Sequence, residues 1–345
     1  MKQTWKRTGV RYAINTVGVA LLCGLILLLS EGGVLNRYQS QLLIPIGYNI
    51  ILAASLNLSA GFLGQLPLGH AGFMSVGAYA SALFTLAVDL PVGIEFPLAL
   101  LIGGLVAGLF GVLIGLPALR LRGDYLAIIT LGFGEIIRVI ILNLNFTGGA
   151  AGLRGIEKLT TVPWVLGCVV VTLFVLHTII QSRHGRAIVS IREDEIAAEA
   201  SGISTTYYKV MAFTVSAFFA GVGGALYAHY MTILEPGSFN FMRSVEILVM
   251  VVLGGLGSLI GSVTAATVLT LLPELLRGFE DYRMVVYALL LVVVMIFKPS
   301  GLFGQYAFSL SNVLLSLRAW LRRLGGKRAG KKAMRKGGGQ NGTGA

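Results

Sequence analysis

The chain has 345 residues, 55% of them hydrophobic and only 12% charged, with 46 glycines. This composition excludes a soluble globular domain and specifies an all-α polytopic membrane protein, because a bilayer core of roughly 30 Å takes about 20 apolar residues per helix. Lys and Arg number 27 against 15 Asp and Glu, a net charge of +12; anionic lipid at the cytoplasmic surface is a sufficient partner for that excess, so no nucleic acid is implied.

In chain order, a basic cytoplasmic segment, 1–8, precedes an apolar run at 9–30. No small-residue cleavage site follows this run, only "SEGGVLNRYQ", so it reads as a retained signal-anchor helix. Further spans are expected at about 41–58, 72–90, 96–118, 125–143, 163–181, 207–230, 243–256, 259–276 and 284–298, about ten in all. The runs at 243–256 and 259–276 are short and meet in the glycine-rich reversal Val252–Ser262. Cys23 and Cys168 lie in apolar runs and suggest neither a disulfide framework nor a zinc site.

Charge then orients the spans. With the N-terminus in the cytoplasm, the inside segments hold Lys2, Lys6, Arg7, Arg11, Arg120, Arg122, Arg183, Arg186, Arg192, Lys209, Lys298 and the basic tail. The outside segments hold Arg37, Arg154, Lys158, Arg243, Arg277 and Arg283. That imbalance places both termini and the segment 183–209 in the cytoplasm. After a membrane region ending at 302, the tail 303–345 divides into an amphipathic stretch, Phe308–Leu324, suited to the membrane surface, and a Gly/Lys/Arg-rich remainder expected to be disordered.

Three polar features interrupt the apolar background. The first, Ser55–Phe84, sets Asn57, Gln65, Pro67 and His70 among closely spaced glycines at membrane depth. Unpaired backbone there must meet protein or a water-filled cavity. The stretch is either a broken helix bordering a transport pathway or a junction closely packed through glycine. The related set Gly104, Gly108, Gly111 and Gly115 reads as a helix-packing ridge. The second feature is Glu135 and Arg138, at i and i+3 on one helix face. They form a structural ion pair or serve gating or substrate contact, and Glu246 poses the same question more weakly.

The third is the charged stretch "GRAIVSIREDEIAAEASGISTTYYK", Gly185–Lys209, in which Ile188–Gly202 reads as one helix ended by Gly202. It is either a short surface helix built to dock on another protein or a solvated loop helix. No metal-ligand spacing links His70, His177, His184 and His229. "GGKRAGKK" at Gly325–Lys332 has Lys332 where a phosphate-binding loop needs Ser or Thr. The chain is therefore not read as an enzyme, and no cofactor or metal is expected on it.

"GRAIVSIREDEIAAEASGI" closely resembles the cytoplasmic coupling segment of the branched-chain amino acid ABC-transporter permeases, of the high-affinity leucine/isoleucine/valine type. "LNLSAGFLGQLPLGHAGFMSVGAYASALF", "RGDYLAIITLGFGEIIRVIILN", "TGGAAGLRGI" and "VMVVLGGLGSLIGSVTAA" resemble four more of their blocks in the same order, over roughly residues 40–302. Pro67 departs from the Ser that the family more often has. The resemblance implies a bacterial inner-membrane importer in which two related permeases pair, two cytoplasmic ATPases hold ATP and Mg, and a periplasmic binding protein delivers substrate.

It also implies a coupling helix made from Arg186, Arg192, Glu193, Asp194, Glu195, Ala198, Glu199, Ala200 and Gly202, with Glu195, Ala198, Glu199, Ala200 and Gly202 forming the turn that sits in an ATPase groove. Urea, short-amide or sugar import is the alternative within this class. An ion-coupled secondary transporter is the alternative outside it.

Overall fold

The computed structural model describes residues 36–88, 90–121 and 123–276, with isolated positions at 24, 282, 285, 286, 288, 289, 292, 296 and 297. The expected spans at 9–30 and 284–298, the segment 1–8 and the tail 303–345 lie outside the continuously described residues. The helices are α1, Arg37–Asn57; α2, His70–Ala87; α3, Val92–Ala118; α4, Asp124–Asn143; α5, Val162–Gln181; α6, Arg183–Glu193; α7, Glu195–Ala200; α8, Thr205–Met231; α9, Phe241–Gly254; and α10, Leu259–Leu275. Among the described residues the only extended pairing is an isolated antiparallel bridge between Leu153 and Leu234.

Among the described residues, five helices are long and apolar enough to cross a membrane: α1 with the turn after it (Tyr38–Phe62), α3, α4, α5 and α8. The span expected at 243–256 is different. Its helix, α9, has 14 residues and is about 21 Å long at 1.5 Å per residue, short of the roughly 30 Å core. The chain reaches it by folding back after α8. Thr232 adopts a left-handed conformation (φ 64°), and Leu234 pairs with Leu153 and accepts a hydrogen bond from Tyr79 Oη at 2.9 Å. Asn240 then caps α9 through Arg243 N. The first turn of α9 meets Glu135 of α4 and the start of α2, so it begins within the helix bundle.

The centre of the bundle is α2, α3 and α8. Phe73 packs edge-on to Phe213 at 5.4 Å, Gly77 abuts Gly221 and Thr85 bonds His229, so α2 and α8 run parallel. Phe96 packs on His229 while Gly115 faces Phe213, so α3 runs antiparallel to α8. Glycine makes this approach possible: a Cβ at Gly77 would collide with the Gly221 backbone, and one at Gly103 would lie 2.8 Å from the Gly77 carbonyl. The ridge Gly104, Gly108, Gly111 and Gly115 lies against Phe213, Thr214, Ala217, Phe218 and Val222 of α8. The opposite face of α3 carries exposed Leu101, Leu105, Leu109 and Leu113 at i, i+4 spacing, as a lipid-facing stripe requires.

Candidate functional site

The polar stretch after α1 is a break at the end of a membrane helix. Beyond Asn57 the helix widens into one π-turn, Leu58–Phe62, and residues 63–69 are irregular before α2 starts at His70. Asn57 is fully buried and secures the break. Its Oδ1 accepts Gly257 N (2.9 Å), while Nδ2 donates to Ser258 O (2.9 Å) and Ser262 Oγ (2.7 Å). One side chain thus satisfies the α9–α10 reversal and holds it on α1. Gly61 and Gly257 touch there, with no room for a Cβ on Gly61.

His70 is buried at the first position of α2, with Nε2 3.1 Å from Ser55 Oγ, and Ser216 Oγ donates to Ser55 O at 2.6 Å. Gln65 donates its backbone N–H to Ser59 O, and its buried side-chain Oε1 has no hydrogen-bond partner. Pro67 is buried within the irregular stretch, outside any helix, so its departure from the family's Ser disturbs no helical hydrogen bond.

A second polar group lies around the first turn of α9. Arg138 Nε meets Glu135 Oε2 at 2.7 Å, and Glu135 Oε1 accepts Phe241 N at 3.1 Å, where a carboxylate also complements the positive end of the helix. Arg243 donates to Glu246 Oε2 (2.8 Å) and to Asn49 Oδ1 (2.7 Å), lies over the Tyr48 ring, and Asn49 donates in turn to Thr270. Arg243, expected among the outside charges, meets α1 at Asn49, midway along the continuous helix from Arg37 to Phe62.

Tyr48, Asn49, Ser244 and Thr270 carried no signal in the sequence beyond being polar in apolar runs. For Arg243 there was one: Pro236, Gly237 and Asn240 precede a run too short to span. These two groups approach each other where Ala71 N donates to Ser244 Oγ at 3.0 Å. Among the described residues, no three of His, Cys, Asp or Glu gather as a metal site.

The third region is the charged segment, and the continuous helix expected over Ile188–Gly202 is two. Asp194 is extended (φ −156°, ψ 111°) and caps the new helix by accepting Ile196 N and Ala197 N. In α6, Ile188 and Ile191 are buried while Arg186 is exposed. The helix α7 ends with Gly202 at φ +81°, Gly202 N bonding Glu199 O and Ile203 N bonding Ala198 O, a Schellman arrangement that a left-handed glycine permits.

Of the residues implied for the docking turn, Glu199, Ala200 and Gly202 are exposed, as are Glu193 and Asp194. Ala198 is buried, and Glu195 turns inward to meet Lys209 Nζ at 2.7 Å, with Lys209 only 4% exposed. The residue missed was Ile196, 71% exposed on the outer side of α7. Arg192 pairs with Glu193 and reaches back into the bundle, Nη1 donating to Gly61 O at 3.0 Å.

A bundle of long apolar helices, one broken and one half-length, with a charged two-helix elbow between two spans, defines a multi-pass membrane permease. The family described as "Branched-chain amino acid transport system / permease component" matches residues 38–295, and the chain belongs to it. It is 40% identical over 288 residues to the high-affinity branched-chain amino acid transport system permease protein LivM of Salmonella typhimurium and to that of Escherichia coli, covering 73% of this chain and 67% of each relative. It is 24% identical over 293 residues to the permease protein LivH of Salmonella typhimurium, covering 76% of this chain and 91% of the relative. It is also 26% identical over 188 residues to the nucleoside ABC transporter permease protein NupC of Lactococcus lactis, covering 48% of this chain and 59% of the relative. No solved structure matches the chain at a significant level.

Proposed function

We propose that this chain is one membrane subunit of an ATP-driven importer for branched-chain amino acids in a bacterial inner membrane. It pairs with a second, related permease. It takes substrate from a periplasmic binding protein, and it is driven by two cytoplasmic ATPases that bind ATP and Mg. In this reading both termini and the α6–α7 elbow face the cytoplasm, on the side where the basic residues concentrate. The observation that carries the ATPase assignment is the outer side of α7. An isoleucine 71% exposed, flanked by Glu199 and Ala200, is an anchor shaped for a groove, while the inner side is fastened to α8 through Glu195 and Lys209. The substrate rests on the 40% identical relatives; the nucleoside permease match favours a second reading, in which a similar scaffold carries another small polar metabolite.

Glu199→Arg reverses charge on the exposed turn and leaves the contacts of Glu195 and Lys209 intact. ATPase co-purification and uptake are expected to fall by about tenfold or more, since misplaced charge at an interface costs several kcal/mol. Normal co-purification and uptake would return the elbow to a solvated loop. Uptake that survives ATP depletion while an ion gradient is kept would instead identify a secondary transporter. Competition of labelled leucine uptake by valine, urea or a nucleoside separates the substrate classes.

A further inference from the structure

Arg192 belongs to the charged elbow, but its side chain does not face the surface proposed for the ATPases. It crosses to the junction at which two interrupted membrane elements meet. Its Nη1 donates to Gly61 O, inside the π-turn that ends α1, at 3.0 Å. Its stem lies over Gly64, where an added Cβ would come within 2.6 Å of Arg192 Cγ. Its guanidinium lies beside Gly257 in the α9–α10 reversal, 3.2 Å from an added Cβ. Both glycines have positive φ, +78° and +83°, so the chain turns at each without a side chain and leaves a slot that the arginine fills. The junction is already locked by Asn57, and further along the same helices Asn49 ties α1 to Arg243 of α9 and to Thr270 of α10.

We propose that Arg192 is the positioning residue that makes the elbow, α1, α9 and α10 one mechanical unit, so that a displacement of the elbow is delivered to the α1–α9–α10 seam. The proposal rests on the ATPase reading for the source of the displacement. Its physical content is local. Gly61 lies in the last turn of its helix, where carbonyls have no helical partner, so its carbonyl accepts a charged donor, and the donor comes from the segment that has to transmit force. Arginine suits the task because a planar head with several donors on a long apolar stem can fill a narrow backbone slot and still reach Glu193.

The test uses the full complex in proteoliposomes with leucine-loaded binding protein. Arg192→Met keeps a stem over Gly64 and removes the donor; Arg192→Lys keeps one charged donor. With Arg192→Met the ATPases are expected to co-purify as with the wild type, while the ratio of substrate-stimulated to unstimulated ATP hydrolysis, and uptake, fall by roughly tenfold, the scale of one charged hydrogen bond lost between coupled parts. Arg192→Lys is expected to recover much of that ratio. A wild-type ratio in Arg192→Met, or loss of the ATPases from it, overturns the proposal. A wild-type chain that retains no ATPase sinks the docking reading instead.

A second measurement does not depend on the Arg192 variants folding. Spin labels at Arg186→Cys and Leu256→Cys, with Arg192 intact, should report the same distance without nucleotide and with ATP trapped. A distance that changes between these states overturns the proposal.

Discussion

Two seams hold this permease together, and they differ in what is added to close packing. The α2–α3–α8 centre is a surface of glycine and alanine against backbone and aromatic rings, continuous along the helices. The α1–α9–α10 seam adds discrete polar links to its own glycine contacts, Gly61 on Gly257 and Gly254 on Gly261: Asn57 at one end and Asn49 with Arg243 and Thr270 further along, between elements that are broken or short. Close packing tolerates no displacement, because dispersion contacts are lost over fractions of an ångström. The long-range polar links tie α1, α9 and α10 to one another at two points. The first seam is therefore the frame, and the second joins the helices proposed to move with the elbow.

The largest effect expected of that contrast is at Gly221. Its neighbours are the Gly103 backbone and Ala107 Cβ, with Gly77 packed on it in turn. Gly221→Val meets backbone that cannot move aside, and should cost about 3 kcal/mol or more, beyond ordinary overpacking; folded protein recovered from membranes should fall sharply. Asn57→Ala is next. It leaves the Gly257 N–H and the Ser258 carbonyl without this partner, at about 1–3 kcal/mol, and should lower the thermal midpoint in detergent while uptake falls further than stability does. An uptake loss no larger than the stability loss would make this seam part of the frame. The smallest effect is Gly108→Ala, whose added Cβ stands 3.6 Å from Phe218 Cβ at ordinary contact distance; a change of melting temperature within about 0.5 kcal/mol equivalent is expected. A large loss there would show the centre to be tighter than its glycines require.

The frame was legible because its signal is local. Glycines three and four apart on one apolar helix mark a packing ridge, and Glu135 with Arg138 share a face by spacing alone. The break after Asn57 was legible as polar and turn-forming residues inside an apolar run. The second seam was not, because Asn57 meets Ser262, and Arg243 meets Asn49, across roughly two hundred residues of sequence, as the separations of 205 and 194 show. The elbow lies between these cases. Ile188, Ile191, Glu195 and Ala198 follow alternating steps of three and four, the pattern of a single inward face. That pattern already set Glu195 and Ala198 toward the bundle and Ile196 away from it, even though Asp194 divides the helix. The implied docking turn overlooked this phase.

The burial of α1 has a consequence for how the protein is made. Of its most apolar stretch, 83% is buried against 22% for α4, and it is the least apolar of the long helices. A segment carrying Asn49, Ser55, Asn57 and Ser59 has little reason to leave the insertion machinery for lipid on its own. Ser55 and Ser59 find partners nearby in Leu52 O, His70 and Leu56 O, but Asn49 and Asn57 bond Thr270, Ser258 and Ser262 around α10, synthesised much later. The more exposed helices α4 and α5 can settle in lipid as they emerge, but the partners of Asn49 and Asn57 arrive only in the last third of the chain. The burial of α1 is therefore completed late, and a ribosome stalled before α8 leaves it beside α5, where Gly47 abuts Val165, with Asn49 and Asn57 still lacking their partners.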